Sequence, residues 1–187
     1  MSAGAEIASP WILLPPAGSV DGTWAHEVAQ QVSTGEAIAP SERVLAHYQR
    51  LETLDGFAVR VVFAPNLPEA ILVSVAAVPA GTDAVADQRA LMGLDHLGDF
   101  DGQLDDFREV GLEGFQLLRV DSVQTQRSAD ETVLTATLMT VIRRPLTKGT
   151  VDLVAVARST DLLLVAAAVE PVVELLLGED LAQLLGG

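Results

Sequence analysis

Carboxylates crowd one stretch of this chain. Seven acidic residues lie within the nineteen positions from Asp95 to Glu113, and calcium prefers oxygen ligands of this kind. Asp99-Phe100-Asp101-Gly102 resembles the middle of an EF-hand loop, which has a glycine at position 6 and oxygen ligands at both ends. With Gly102 at position 6, Leu97 takes the first position and Arg108 the last, so both end ligands are missing. We therefore predict no metal site here, only a solvated helix face and its loop. The alternative is a weak divalent-cation site around Asp99, Asp101 and Asp105.

The three histidines do not form a zinc-binding pattern. His26 and Glu27 begin the His-Glu-x-x-His sequence of zinc proteases, but Gln30 stands where the second histidine is needed. His47 and His96 have no histidine partner at helical spacing, and the chain has no cysteine, so cysteine ligands are excluded as well. We expect each histidine to be a partly exposed helical residue, with an acidic neighbour for His47.

Motifs for nucleophilic catalysis and phosphate binding are also missing. Gly18-Ser19-Val20-Asp21-Gly22 has the wrong spacing for the Gly-x-Ser-x-Gly turn of hydrolases, and we predict an ordinary loop. The single lysine, Lys148, is not preceded by the glycines of a P-loop, and no Gly-x-Gly-x-x-Gly occurs. The sequence therefore predicts no catalytic residue, no cofactor-binding residue and no metal ligand. We expect Arg143 and Arg144, the one basic pair, to bind acidic side chains of the same or a neighbouring chain.

Composition limits the remaining functions. The 187 residues include 11 basic and 26 acidic side chains, giving a net charge of −15. This charge disfavours nucleic acids and anionic membranes as partners. Hydrophobic residues make up 49% of the chain, enough for one domain over residues 1–187, with residues 1–9 expected to be disordered. The longest apolar run, Leu162–Val169, is far shorter than a membrane span. We expect a soluble, cytoplasmic, bacterial protein without membrane insertion.

The spacing of apolar residues predicts helices at both ends and in the middle of the chain. A helix capped by Asp21 begins near Gly22, and a second, capped by Ser41, carries an apolar stripe to Leu54. A long helix starts near Thr82 and continues, after a break, through Leu104 and Phe107. A closing helix has Pro171 in its first turn. Its predicted buried side consists of Val172, Leu175, Leu176, Leu181 and Leu184.

Alternating residues predict strands between these helices. A short strand at Trp11–Leu14 precedes a hairpin, in which Arg60 indicates a face that meets water. A four-strand meander follows the long helix. The predicted hairpin and meander strands are Phe57–Ala64, Ala70–Val78, Phe115–Thr125, Thr132–Arg143, Thr150–Ala157 and Leu162–Val169. Strands joined by short links favour an α+β fold, with a mainly antiparallel sheet and helices packed on it.

This order resembles the PsbP-like α/β/α sandwich family, which includes small actinobacterial lipoproteins of the LpqN type. The resemblance lies in the early strand and proline pair Trp11–Pro16, the hairpin, the helix from Thr82 and the meander. It covers most of the chain and rests on topology, because no diagnostic motif matches. The chain departs from the lipoprotein pattern in having no cysteine, and we expect no lipoprotein signal. It implies a non-enzymatic accessory or chaperone-like binding role. A helix-grip fold is the competing architecture, but its long C-terminal helix has no equivalent in the predicted order.

We therefore expect a non-catalytic accessory or partner-binding domain, of the adaptor or chaperone-like kind. Its expected partner is another protein, and self-association is a further prediction. The alternative is a small-molecule or lipid carrier, or an enzyme, with a pocket between the sheet and the long helix.

Overall fold

Seven strands and five helices form the part of the chain that the computed structural model describes. That part comprises residues 11–16, 18–32, 38–51, 59–66, 69–91, 103–112, 115–128 and 131–186. The strands are β1 (Trp11–Leu13), β2 (Val59–Asn66), β3 (Glu69–Pro79), β4 (Gln103–Leu112), β5 (Phe115–Ser128), β6 (Glu131–Leu146) and β7 (Gly149–Ser159). The helices are α1 (Trp24–Val32), α2 (Ile38–Gln49), α3 (Ala84–Leu91), α4 (Leu162–Leu177) and α5 (Glu179–Gly186).

The chain forms two compact units, Met1–Ser74 and Val75–Gly187. In the first unit the strand order is β1-β2-β3, and β1 pairs antiparallel with β2, with Trp11 opposite Phe63. The residues of β3 from Val75 onward belong to the second unit, where the order is β3-β7-β6-β5-β4. Neighbouring strands from β4 to β7 are antiparallel throughout. The predicted α+β class with a mainly antiparallel sheet is confirmed.

In the first unit, α1 and α2 form a buried core together with strand residues of β2 and β3. Ala29 and Leu45 are completely buried, and the Trp24 and Tyr48 rings lie 5.9 Å apart between their centroids. Val62 of β2 belongs to the same cluster of buried residues. These apolar positions recur every three or four residues along each helix, so burying one face removes them together from water. The predicted strand at Trp11 and the two helices are thus found, although α2 begins at Ile38 and not after Ser41.

In the second unit, α3 and α4 cover opposite faces of the sheet. Successive side chains of a strand point to opposite faces. Arg143 of β6 donates hydrogen bonds to Asp87 of α3, whereas the next residue, Arg144, donates to the carbonyl of Leu176 in α4. The sheet face under α3 contains Val141 and Val154, and Leu91 of α3 packs against them. On the other face, α4 packs on β6 and β7. Completely buried or nearly buried residues of the sheet and of α4 are Leu138, Ile142, Leu153, Ala168, Val172 and Leu176.

The prediction of a strand at Leu162–Val169 is wrong, because this segment is the first half of α4. Asp161 caps the helix, and its carboxylate accepts hydrogen bonds from the backbone N–H groups of Leu163 and Leu164 at 3.0 and 3.1 Å. An aspartate in this position satisfies donors that the first turn of a helix leaves free. Pro171 therefore lies inside α4 and not in its first turn.

The predicted continuation of the long helix is also wrong. The helix α3 ends at Leu91, and Leu104 and Phe107 belong to β4. Their spacing of three residues fits a helix, but pairing with β5 fixes the backbone, with Phe107 opposite Val120. Long-range pairing thus overrides a local pattern. The meander consists of β4 to β7. Three of its predicted strands are found as β5, β6 and β7, whereas the fourth strand is β4 and not Leu162–Val169.

Arg60 corrects a third expectation. The sequence predicts that its side chain lies on a water-facing side of β2, yet the residue is buried at 6% exposure. Its guanidinium carbon lies 5.9 Å from the centroid of the Tyr48 ring. A cation over an aromatic face is attracted by the electrons of the ring, which helps to offset the loss of water. Residues 1–9, expected to be disordered, lie outside the described residues.

Two leucines of α4 test this arrangement. Leu176 is completely buried, whereas Leu163 is 83% exposed. We expect Leu176→Ala to lower the free energy of unfolding by about 2–5 kcal/mol, because it removes buried methyl groups and leaves a cavity. Leu163→Ala should change it by less than about 0.5 kcal/mol. Urea denaturation of both variants measures these values, and equal losses would contradict the orientation of α4.

Candidate functional site

An ion-pair network surrounds Arg143 on the α3 face of the sheet. Its guanidinium binds the Asp152 carboxylate through two hydrogen bonds, Nε to Oδ1 at 2.9 Å and Nη2 to Oδ2 at 2.7 Å. Asp152 lies directly opposite Arg143 in the β6–β7 ladder. Nη2 also donates to Oδ2 of Asp87 at 2.8 Å, and Nη1 donates to the carbonyl of Gly81 at 3.2 Å. We name these four residues the Arg143 cluster.

The Arg143 cluster is largely removed from water. The side chains of Asp152, Arg143 and Asp87 are 1%, 15% and 34% exposed. Gln88 of α3, which is also buried, donates to Oδ1 of Asp152 at 3.5 Å. The hydrogen bond to Asp152 raises the pKa of the Arg143 guanidinium above its usual range, and this outweighs the opposing effect of burial. Arg143 therefore stays charged and is unsuited to proton transfer.

Glycine at position 81 leaves room for this cluster. A Cβ atom there would lie 2.6 Å from Oδ2 and 2.8 Å from Oδ1 of Asp87, closer than non-bonded atoms approach. Because Arg143 holds that carboxylate, the carboxylate is not free to move aside. The cluster thus anchors the loop before α3 and the start of α3 to β6 and β7. Its contacts are those of a structural clamp rather than of a catalytic centre.

Arg144 connects the other face of β6 to the end of α4. Its Nη1 donates to the carbonyls of Leu176 at 2.9 Å and Gly178 at 3.1 Å, and its Nη2 lies 3.4 Å from Oε1 of Glu179. The last carbonyls of a helix have no partner within the helix and carry partial negative charge, so a cation stabilises them. The expectation that both arginines bind acidic side chains is confirmed.

The histidine and serine motifs take ordinary surface roles where the structure describes them. Nδ1 of His26 lies 3.4 Å from Oε1 of Glu42, and Nε2 lies 2.7 Å from the amide nitrogen of Gln30. The His26 side chain is half exposed, as predicted. His47 is an exposed residue of α2, and its acidic neighbour stays a prediction. His96 lies outside the described residues.

The loop Gly18–Gly22 caps α1 and does not form a nucleophile turn. The Ser19 hydroxyl donates to the carbonyl of Pro16 at 2.6 Å. One oxygen of Asp21 accepts hydrogen bonds from the Thr23 hydroxyl at 2.9 Å and from the Thr23 and Trp24 N–H groups at 3.0 Å. The Thr23 hydroxyl first, and then the backbone N–H of Thr23, hold the pKa of Asp21 below its ordinary value of 3.8.

The structure describes only part of the acidic stretch from Asp95 to Glu113. In the described part, the prediction that these residues lie on a helix face is wrong. Asp105, Asp106 and Glu109 lie in β4, where Asp106 is opposite Asp121 of β5. Other members of the stretch lie outside the described residues, namely Asp95, Asp99, Asp101 and Glu113. Within the described part of the chain, no three His, Cys, Asp or Glu residues are grouped so that they could hold a metal ion.

The outward side of α4 is the feature that sequence analysis missed. Leu163, Ala166, Ala167, Glu170 and Glu174 are exposed and recur every three or four residues, so they share one side of the helix. We name these five residues the outer face of α4. Leu162 beside them is 40% exposed. The sequence contains a signal for this surface, because all eight residues from Leu162 to Val169 are apolar. Eight apolar residues in a row, however, predict a strand as readily as a helix.

Comparison with models of known protein families gives no match, and comparison with curated proteins gives none. In the residues that the structure describes, no helix is both long and apolar enough to cross a membrane. The geometry of the described residues is therefore the basis for a functional proposal.

The buried ion pair leads to a stability test. We expect Arg143→Met to lower the free energy of unfolding by about 3–5 kcal/mol, because Asp152 then keeps a buried charge without a partner. Asp87→Asn should cost about 1 kcal/mol or less, since Asp87 is partly solvated. Arg143→Met combined with Asp152→Leu should recover much of the loss. Urea denaturation gives all three values, and equal losses from the two single variants would argue against a buried Arg143–Asp152 pair.

Asp21 leads to a pH test. Because its pKa is lower in the folded state, the unfolded chain takes up the proton first as the pH falls. The stability that ionised Asp21 adds is complete well above pH 3.8 and disappears as the folded carboxylate is protonated. Asp21→Asn keeps an acceptor oxygen but cannot titrate. We expect the native chain to have a higher melting temperature than this variant at about pH 7. The difference between the two melting temperatures should disappear at about pH 2–3. A difference independent of pH would refute the assignment.

Proposed function

We propose that this chain is a non-catalytic, partner-binding domain of the adaptor or accessory kind, and that the outer face of α4 is its docking surface. The observation that supports this most directly is the 83% exposure of Leu163 in a helix whose inward side is buried. An isolated exposed leucine is common on protein surfaces. Here Leu162, Ala166 and Ala167 extend the apolar surface over about one and a half turns without a charged residue, which is typical of an interaction site.

The packing of α4 gives this surface a fixed shape. Six residues on its inward side are buried, and Arg144 binds the carbonyls at its C-terminal end. Asp161 caps the other end. A helix held at both ends and along one side presents its exposed side already ordered, so the chain loses less conformational entropy when a partner binds.

The polar clusters of the described residues support a binding role over catalysis. Both carboxylates of the Arg143 cluster are engaged by the guanidinium, and Ser19 donates to a backbone carbonyl. Neither arrangement holds an activated nucleophile beside a base. An accessory role also agrees with the resemblance to the PsbP-like family. That resemblance, the cytoplasmic location, the bacterial origin and self-association stay predictions.

Leu163 and Val85 make a matched pair for testing the surface. Each is an exposed apolar residue at the second position of its helix, α4 or α3, and aspartate is well tolerated in a first turn. With a photo-crosslinking amino acid at either position in the native cell, we expect a discrete protein adduct from position 163 and none from position 85. Binding of the purified partner should then fall at least about tenfold with Leu163→Asp, the loss expected for a buried anchor residue. Val85→Asp should leave it unchanged.

Two results would refute the proposed function. One is an identical adduct pattern from positions 163 and 85, which would mean that the outer face of α4 has no selective partner. The other is turnover by the purified chain of a hydrolase or esterase substrate that is lost in Ser19→Ala or His26→Ala, since a catalytic residue would then exist.

A further inference from the structure

We infer that the partner of the outer face of α4 is an amphipathic helix that carries lysine or arginine about two turns from its apolar anchor residues. This inference rests on the proposed function and specifies the partner's chemistry. It is drawn from the division of the outer face into an apolar half and an acidic half.

The apolar half lies at the start of α4. Leu163, Ala166 and Ala167 are exposed there and follow the spacing of one helix side. The two alanines have short side chains beside the larger leucine, so the backbone of a second helix can approach closely at these positions. Helices that pack along one another meet through such ridges and grooves, with axes about 8–10 Å apart. The shape of this half therefore suits a helix better than a flat sheet.

The acidic half follows on the same side. Glu170 and Glu174 are exposed, and α4 contains no basic residue that could neutralise them. Leu163 and Glu170 are seven residues apart, which corresponds to about 10 Å along a helix. A partner helix lying along α4 would therefore meet an apolar surface and, two turns further on, two negative charges. A partner complements both halves when it carries apolar residues and, about two turns away, basic residues, in the sequence order that its orientation along α4 requires.

Charge argues against two other occupants. A second copy of the chain would bring no cation from its own α4, and its Glu170 and Glu174 would face either the apolar half or the same two carboxylates. Burying a carboxylate against apolar groups is costly, and like charges repel. An anionic lipid surface would be repelled by these carboxylates and by the net charge of −15.

A displayed library of helices, each about five turns long, tests the inference whatever the identity of the natural partner. Apolar positions carry Leu, Val or Ala, and polar positions carry Lys, Arg, Glu, Gln or Ser. Helices that bind the intact chain are selected, and those that also bind the Leu163→Asp variant are removed. Circular dichroism checks that this variant is folded. We expect enrichment of Lys or Arg two turns from the apolar anchor. For the selected peptides, Glu170→Gln with Glu174→Gln should weaken binding about three- to tenfold, as for two partly solvated ion pairs.

A charge-matched control accompanies the double variant. Glu27→Gln with Glu42→Gln removes the same number of charges from α1 and α2, and it should change binding by less than about twofold if the effect is local. Binding of the selected peptides should also weaken with added salt, because exposed ion pairs are screened.

The outcomes separate the inference from the proposed function. The inference is overturned, and the docking surface is left intact, if the selected peptides need Leu163 but show no enrichment of Lys or Arg. The same holds if their binding tolerates the loss of both Glu170 and Glu174. The absence of any Leu163-dependent peptide overturns both. Leu163-dependent binding to phosphatidylcholine–phosphatidylglycerol vesicles, with no peptide selected, would identify a lipid surface as the occupant and would also refute the inference.

Discussion

The salt bridge between Arg143 and Asp152 is the interaction on which much of the second unit depends. The two residues face each other across β6 and β7, so the ladder itself places the charges together. Because Asp152 is almost completely buried, the arginine is required by the carboxylate and cannot be lost without leaving a charge in a poorly hydrated place. The remaining guanidinium donors then bind Asp87 and Gly81. One pair thereby fixes both the register of a hairpin and the position of α3.

The neighbouring arginine shows how a strand distributes its side chains between two layers. Arg143 donates a hydrogen bond to Asp87 of α3, and Arg144, one residue later, donates to the Leu176 carbonyl at the C-terminal end of α4. Both use a long, always charged side chain to reach backbone carbonyls or carboxylates that would otherwise lack donors. A substitution that shifted β6 by one residue would exchange the two faces and disconnect both helices at once.

The sequence predicted the features that depend on local periodicity. The α+β class, the hairpin strands near β2 and β3, and the cap at Asp21 follow from alternation and from residue type, and the structure contains them. Prediction failed where a distant contact decides. Leu104 and Phe107 are spaced as in a helix, but β5 pairs with them. Arg60 looks solvent-facing in a strand until Tyr48 of another element covers it. The arginine pair was expected to bind acids, but which acids could not be known before the fold was known.

The error at α4 has a physical cause that also bears on function. A helix with one buried and one solvated side shows polar residues every third or fourth position, and this signal is absent from Leu162 to Val169 because the exposed positions are apolar too. Uniform apolarity is usual for a strand covered on both faces or for a helix covered all round. The helix α4 is covered on only one side, yet its first half, Leu162–Val169, has the composition of a more deeply buried helix. The mismatch between composition and exposure disappears if a partner covers the outer face, as proposed. Glu170 and Glu174 are then the positions at which the proposed partner supplies positive charge.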